Sequence, residues 1–215
     1  MPRLLLTRPR AQAEGFAAKV RAETGLEPII APMQEMRDLP VKPDLSGVKA
    51  LAFTSKNGVE AFARLSGARL PAYCVGNATA ARARALGFAA KAAAGTANDL
   101  AKILPSSGVL HLHGMHVRRV LAANHIAIYD QVALPLSTEA QALLANSGID
   151  ATALFSPRSA ALFAAYLPKN PATKPVSYVL SEAVAAALPK GLGPRIAPQP
   201  SAKALLGLLS ADFPA

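Results

Sequence analysis

Three places in this 215-residue chain gather small hydroxyls, amides and glycine directly behind an apolar run. They are Phe53-Thr54-Ser55-Lys56-Asn57-Gly58, Val75-Gly76-Asn77-Ala78-Thr79 and Gly95-Thr96-Ala97-Asn98. Each reads as a strand end, a tight polar turn and a helix start, the first capped by Ser55 or Asn57. Backbone N–H groups at such starts form an anion site suited to carboxylates. Plain N-capping accounts for any one of these turns taken alone. None has the glycine and lysine spacing of a Walker loop or a dinucleotide fingerprint.

The first pattern returns at Leu154-Phe155-Ser156-Pro157-Arg158-Ser159-Ala160-Ala161-Leu162-Phe163. Ser55 aligns with Ser156, Gly58 with Ser159 and Phe62 with Phe163; further on, Gly76 matches Ser181, Thr96 matches Ser201 and Leu100 matches Leu205. Matching turns in two halves of one chain predict a duplicated architecture whose strand-end loops face a shared site.

Other reactive side chains are sparse. His111, His113 and His116 raise the question of a metal, and the first two share one face of an apolar strand, but no cysteine is near and the carboxylates are distant in sequence, which disfavours it. His113, at a strand end, reads instead as a donor to an acidic ligand. Cys74 lies inside an apolar strand and reads as core. Glu14, Glu60, Asp99 and Glu182 read as caps or solvated positions, and no Ser-His-Asp or Cys-His arrangement can be nominated. An enzyme so equipped works by positioning a substrate that is already reactive. Tyr129 stands apart: within an extended stretch, its phenol either projects into a cleft between domains or covers a hinge.

Short apolar strands alternating with helices must position these groups. Strands are expected at 4–6, 27–31, 51–53, 72–76, 88–92, 109–112, 151–155, 176–180 and 195–197. Helices are expected at about 12–24, 80–86, 97–104, 115–123, 137–146, 157–167, 183–188 and 201–210, and behind the Ser55 turn, where Val59, Phe62 and Ala63 share one face; a loop is expected over 168–175. This alternation demands α/β architecture with parallel sheets flanked by helices, and ligands at the carboxyl ends of the strands. Residues 33–43, with two prolines, and the extended run 126–135 read as an outgoing and a returning linker.

Composition sets the limits. The chain is 52% hydrophobic, largely Ala, Leu and Val, with no Trp, and its length is comfortable for two small domains. Its 23 Lys and Arg against 13 Asp and Glu give a formal charge of +10, which favours anionic partners. The basic residues are scattered and aromatics are few, so a small polyanion fits better than nucleic acid. No apolar run is long enough to span a bilayer, and Met1-Pro2-Arg3-Leu4 enters a strand too early for a signal peptide. One cysteine fits a reducing, cytoplasmic setting. Monomer is the default expectation.

The chain resembles the uroporphyrinogen-III synthase family over nearly its whole length. The pieces that carry the likeness are Leu5-Leu6-Thr7-Arg8-Pro9, residues 53–59, 75–80 and 95–100, Tyr129, and residues 155–159. The resemblance implies two similar lobes, each a parallel sheet flanked by helices, joined by a two-stranded β linker. One lobe would comprise 1–33 and 137–215, the other 40–124, with linker strands at 34–39 and 125–136. It also implies a lyase that dehydrates the linear tetrapyrrole hydroxymethylbilane and closes it with inversion of its last ring, through a spiro intermediate, without metal or organic cofactor. Substrate hand-over from the preceding pathway enzyme is a further implication; nucleic acid and membrane are not expected partners. Tyr129 matches the family tyrosine proposed to assist departure of the hydroxyl. The implied substrate contacts are Arg8, Thr54, Ser55, Lys56, Asn57, Gly76, Asn77, Thr96, His113, Ser156, Arg158, Ser159, Ser181 and Ser201. Ser181 and Val184 depart from the family's glycine and threonine, Ser201 from threonine, and His113 from a common arginine. A non-catalytic bilobal binder of a small polyanion shares the same fold and charge.

Overall fold

A computed structural model describes residues 1–117, 119–168 and 174–215. In chain order the first elements are β1 (Arg3–Leu6), α1 (Arg10–Glu23), β2 (Glu27–Ile30), β3 (Gln34–Asp38), β4 (Ala50–Phe53), α2 (Lys56–Leu65) and β5 (Ala72–Cys74). Next come α3 (Asn77–Ala85), β6 (Ala90–Ala92), α4 (Ala97–Ile103), β7 (Val109–Gly114) and β8 (Asn124–Ala133). The last are α5 (Thr138–Ala145), β9 (Ala151–Leu154), α6 (Pro157–Ala164), β10 (Val176–Val179), α7 (Glu182–Ala185), β11 (Arg195–Ile196) and α8 (Ala202–Asp212). Arg118 and most of the loop expected over 168–175 lie outside the described residues.

The chain divides into two compact units: a terminal unit, Met1–Glu35 with Ala133–Ala215, and a central unit, Met36–Val132. The terminal sheet has the order β11-β10-β9-β1-β2 with every pair parallel. The other sheet runs β3-β8-β7-β4-β5-β6, and from β8 to β6 its pairs are parallel. Read outward from β9 and from β4, the two sheets have the same strand order. Even the register repeats, since Leu6 lies opposite Ala153 as His111 lies opposite Ala52. The extended run near Tyr129 is more than a free ladder: β8 also pairs with β7 and so widens the sheet.

Strands covered on both faces read as continuous apolar runs, because neither side meets water. Leu4, Leu5 and Leu6 accordingly have no exposed surface. In the terminal unit Leu4, Leu6, Phe16 and Tyr178 form one core, and Leu5, Leu154, Phe163 and Val179 the other. In the central unit Phe53, Phe62 and Phe88 pack with ring centroids 5.9 to 6.1 Å apart. Cys74 belongs to that core, and burial pushes its thiol up to about 11, which keeps it protonated and unreactive.

The helix expected over 115–123 is absent among the described residues of that segment, which instead form turns and bends. Its start lacks a capping side chain, since Gly114-Met115 stands where Ser, Thr, Asp or Asn would be needed. The basic run around Arg119 also opposes the positive N-terminal end of a helix.

Helix starts confirm the duplication at the level of backbone angles. Ser55 (φ −154°, ψ 155°) and Ser156 (−152°, 152°) cap α2 and α6 in the same conformation. Gly76 (−167°, 177°) and Ser181 (−166°, 168°) precede α3 and α7, and Thr96 (−112°, 159°) and Ser201 (−133°, 147°) cap α4 and α8. The serine at 181 therefore strains nothing, because its extended backbone suits any residue. Val184, 2% exposed, fills the buried place that Thr79 holds in the other half.

Ser156 and Ser159 form a reciprocal capping box: each backbone N–H donates to the other's Oγ, at 3.2 and 3.1 Å. Ser156→Ala removes both the cap acceptor and the hydroxyl that orients Ser159. The variant is expected to lose about 1 kcal/mol of stability, read as a lower urea midpoint. An unchanged midpoint would show that the box contributes nothing.

Candidate active site

The central unit brings Ser55 and Tyr129 together from opposite ends of its sequence. Ser55 ends the β4 turn, where its Oγ accepts the Gly58 N–H at 3.1 Å. That same oxygen lies 2.9 Å from the Tyr129 hydroxyl, a hydrogen bond in which either group can donate. Tyr129 comes from β8, 74 residues further along, and is 8% exposed. Burial raises its pKa above the ordinary phenol value, and the Ser55 hydrogen bond only partly offsets this. The group therefore holds its proton at neutral pH and acts as a donor.

How β8 presents Tyr129 depends on an irregularity in pairing. Along β7 and β8 the partners run His111 with His125, Leu112 with Ile126 and His113 with Ala127; then the register shifts, and Gly114 meets Tyr129. Such bulges re-aim a side chain. Here both Ile128 and Tyr129 contribute to the same core, where strict alternation would have turned one of them away.

The phenol edges a cavity of about 270 Å³ whose wall also includes Thr54, Gly114, His116, Arg119 and Gln131. That size, near the lower end of ligand pockets, suits one small ring-sized group. Arg119 donates to Asn98 Oδ1, which tethers its guanidinium at the rim. His116 Nε2 lies 3.2 Å from Asp130 Oδ1. The wall thus joins one phenol donor with one fixed cation, a combination able to grip a carboxylate and polarise a leaving oxygen.

The remaining expected contacts fall into two sets. In the central unit Lys56 is exposed on the first turn of α2, and the Asn57 side-chain amide donates to Met36 Sδ at 3.6 Å. Gly76 and Asn77 open α3. Thr96 accepts the Asp99 N–H and donates to its carboxylate at 2.6 Å, an interaction that leads the lowering of the Asp99 pKa. In the terminal unit the Arg8 guanidinium stacks 4.0 Å over the Phe155 ring and donates to Gln12 at 3.0 Å. Arg158 is half-buried on the first turn of α6. Ser201 Oγ accepts the Ala204 N–H, and Ser181 makes no side-chain cap bond. The Ser156 and Ser159 hydroxyls are taken up by their own turn: Ser156 donates to Ser159 Oγ at 3.1 Å, and Ser159 donates to the Ser156 carbonyl at 2.9 Å.

His113 departs from the expectation of a donor at an open strand end. It lies within β7, 7% exposed, with Nδ1 2.9 Å from the Gly114 carbonyl and Nε2 3.1 Å from His125 Nδ1. Because a carbonyl can only accept, Nδ1 carries a proton, and His125 donates to Nε2 when His113 is neutral. Both ring nitrogens are thereby engaged inside the protein. His111 stacks beside it, with ring centroids 5.0 Å apart. Among the described residues no group of three or more His, Cys, Asp or Glu could hold a metal ion.

Gly114, Arg119 and Gln131 were not legible as site residues, and His116 was legible only as a disfavoured metal candidate. His116 and Arg119 follow the β7 end closely, and a strand ending in glycine with a histidine and an arginine just beyond is the signal that could have marked them. Among the described residues no helix is long and apolar enough to cross a membrane.

Comparison with known proteins bears on the family and the fold. A family model described as "Uroporphyrinogen-III synthase HemD" matches residues 15–207. Uroporphyrinogen-III synthetase from Helicobacter pylori superposes with a TM-score of 0.68 at 17% identity, covering 98% of this chain and 99% of that one. A mutant uroporphyrinogen III synthase from the extremely thermophilic bacterium Thermus thermophilus gives a TM-score of 0.57 at 16% identity, covering 98% of both chains. At these identities the superpositions speak for the fold alone. No curated protein matches the chain in sequence.

Proposed function

The chain belongs to the uroporphyrinogen-III synthase family, and from that premise we propose how its own residues carry out the reaction as a lyase. It is an enzyme of porphyrin biosynthesis; the substrate is hydroxymethylbilane. The ring that bears the hydroxymethyl group enters the cavity beside Tyr129, with its carboxylates toward Arg119. Ser55 donates to the Tyr129 oxygen, which leaves the phenol O–H free to reach the departing hydroxyl. As the C–O bond breaks, its electron pair goes to oxygen and is met by the Tyr129 hydrogen bond, while the pyrrole nitrogen lone pair compensates the carbon. The substituted carbon of the last pyrrole then bonds to the electron-poor methylene carbon, giving the spiro intermediate. The bond from that pyrrole carbon to the preceding methylene breaks, and the free α-carbon of the same ring bonds that methylene instead. Loss of its α-proton, which with the departed hydroxide makes water, restores the aromatic ring.

The observation that carries this reading is the buried Tyr129 hydroxyl, 2.9 Å from Ser55 at the cavity wall. It supplies a buried proton donor at the cavity wall, whereas the His116 ring beside it is paired with the Asp130 carboxylate at 3.2 Å. Within the central unit Lys56, Gly76, Asn77 and Thr96 are proposed to hold further carboxylates through side chains and helix-start N–H groups; within the terminal unit Arg8, Arg158, Ser181 and Ser201 are proposed as carboxylate contacts of the same type.

Because hydroxymethylbilane closes unaided to the wrong isomer, product identity is the decisive test. Incubating the protein with hydroxymethylbilane and chromatographing the oxidised product is expected to give isomer III. Isomer I alone, formed at the rate seen without protein, would overturn the assignment and leave a binder of polyanions.

A further inference from the structure

Gly114 sits where a side chain cannot. A Cβ built on it would lie 2.7 Å from both Cε2 and Cζ of Tyr129 and 3.0 Å from its hydroxyl oxygen. Glycine is not there for the backbone, since Gly114 has none of the positive φ values found at Gly87 or Gly95. What the position requires is space. The ring cannot easily give way either: it is 8% exposed, packed in the central core, and tied through its hydroxyl to Ser55. Ser55 is itself fixed by capping α2, and the Met115 N–H donates to the Tyr129 carbonyl at 2.9 Å, pinning the two strands at this level.

We propose that Gly114, placed at the register shift between β7 and β8, is the positioning residue for Tyr129, its bare Cα forming the floor on which the phenol lies. The proposal deepens the functional reading above and rests on Tyr129 assisting departure of the hydroxyl. Any side chain at 114 swings the ring away from Ser55 and from the cavity, so the hydroxyl is still present but misplaced. Misplacement by an ångström is enough to forfeit most of what a positioned group contributes.

The test compares Gly114→Ala, Tyr129→Phe and the double variant. Gly114→Ala is expected to lower turnover about 100-fold, as loss of a general acid does, while KM changes less than about threefold. Adding Gly114→Ala to Tyr129→Phe is expected to lower turnover less than about threefold further, because both act through one hydroxyl. A second readout is the ultraviolet titration of the tyrosines. The component missing in Tyr129→Phe should move down toward the ordinary phenol value of about 10 in Gly114→Ala, as the ring leaves its buried seat. Wild-type turnover in Gly114→Ala, additive losses in the double variant, or an unmoved titration overturns the proposal. If Tyr129→Phe itself keeps full turnover, the reading of the hydroxyl fails, and the titration alone then decides whether Gly114 seats the ring. Should Gly114→Ala fail to fold, adding Tyr129→Leu removes the ring from above the new methyl and should restore the fold; no recovery would overturn the contact.

Discussion

Turnover of the Tyr129→Phe variant is expected to fall about 100-fold, with the folded structure retained. Phenylalanine keeps the ring that packs over Gly114 and within the central core. It loses only the oxygen, and with it the 2.9 Å bond to Ser55. The stability cost should be no more than about 1 kcal/mol, because Ser55 keeps its own role as acceptor of the Gly58 N–H. The chemical loss should be far greater. A buried phenol whose pKa lies above its ordinary value still has its proton to offer at neutral pH, and it is the one phenol among the described residues of the cavity wall. Product composition should change as well: slower capture of the substrate lets unaided closure compete, so isomer I should grow at the expense of isomer III. Rate and isomer ratio in the same chromatographic run test this directly. Wild-type values for both would remove Tyr129 from the mechanism.

A second large effect concerns acid. His111 has no exposed surface, and its Nδ1 accepts the Leu121 N–H at 3.2 Å. Burial first, and the neighbouring His113 and His125 second, hold its pKa down to about 4. In the unfolded chain it takes up a proton near 6.5. A base depressed in the folded state contributes stability above its unfolded value, and that stability drains away as pH falls from about 6.5 toward 4. Between pH 7.5 and 5 the loss attributable to this one group is about 2 kcal/mol. The residue at the same register in the terminal sheet is Leu6, which has no exposed surface. His111→Leu is therefore sterically reasonable and should lose about 2 kcal/mol less than wild type over that interval. At pH 7.5 it should be about 1 kcal/mol weaker, since the Leu121 N–H forfeits its acceptor. Urea unfolding of both proteins at the two pH values, followed by circular dichroism, measures the difference. Equal losses in both would place the acid sensitivity elsewhere.

Much of the architecture was open to reading because its signals are local. Apolar triplets such as Leu4-Leu5-Leu6 and helix starts such as Ser55-Lys56-Asn57-Gly58 declare their elements within a few residues. The duplication was legible for the same reason, and the cap angles of Ser55 and Ser156 bear it out. Gly114 was not, since what makes it necessary is a ring fifteen positions away that arrives through a shift in strand register. The fate of His113 was hidden likewise, because its partner His125 sits on the next strand and nothing in the spacing fixes which diagonal the rings adopt. The missing helix after β7 is a different matter: the segment carries no side chain able to cap a helix start, a local signal in plain view.

Ser55 and Ser156 share one backbone shape and have unlike company. Ser156 closes a circuit with Ser159 in which every hydroxyl is already engaged, whereas Ser55 faces Gly58, a residue with no side chain to answer it, and turns to Tyr129 instead. The side chain three positions after the cap therefore decides where the cap hydroxyl looks: serine at 159 turns it inward on its own turn, and glycine at 58 leaves it to a ring from a distant strand.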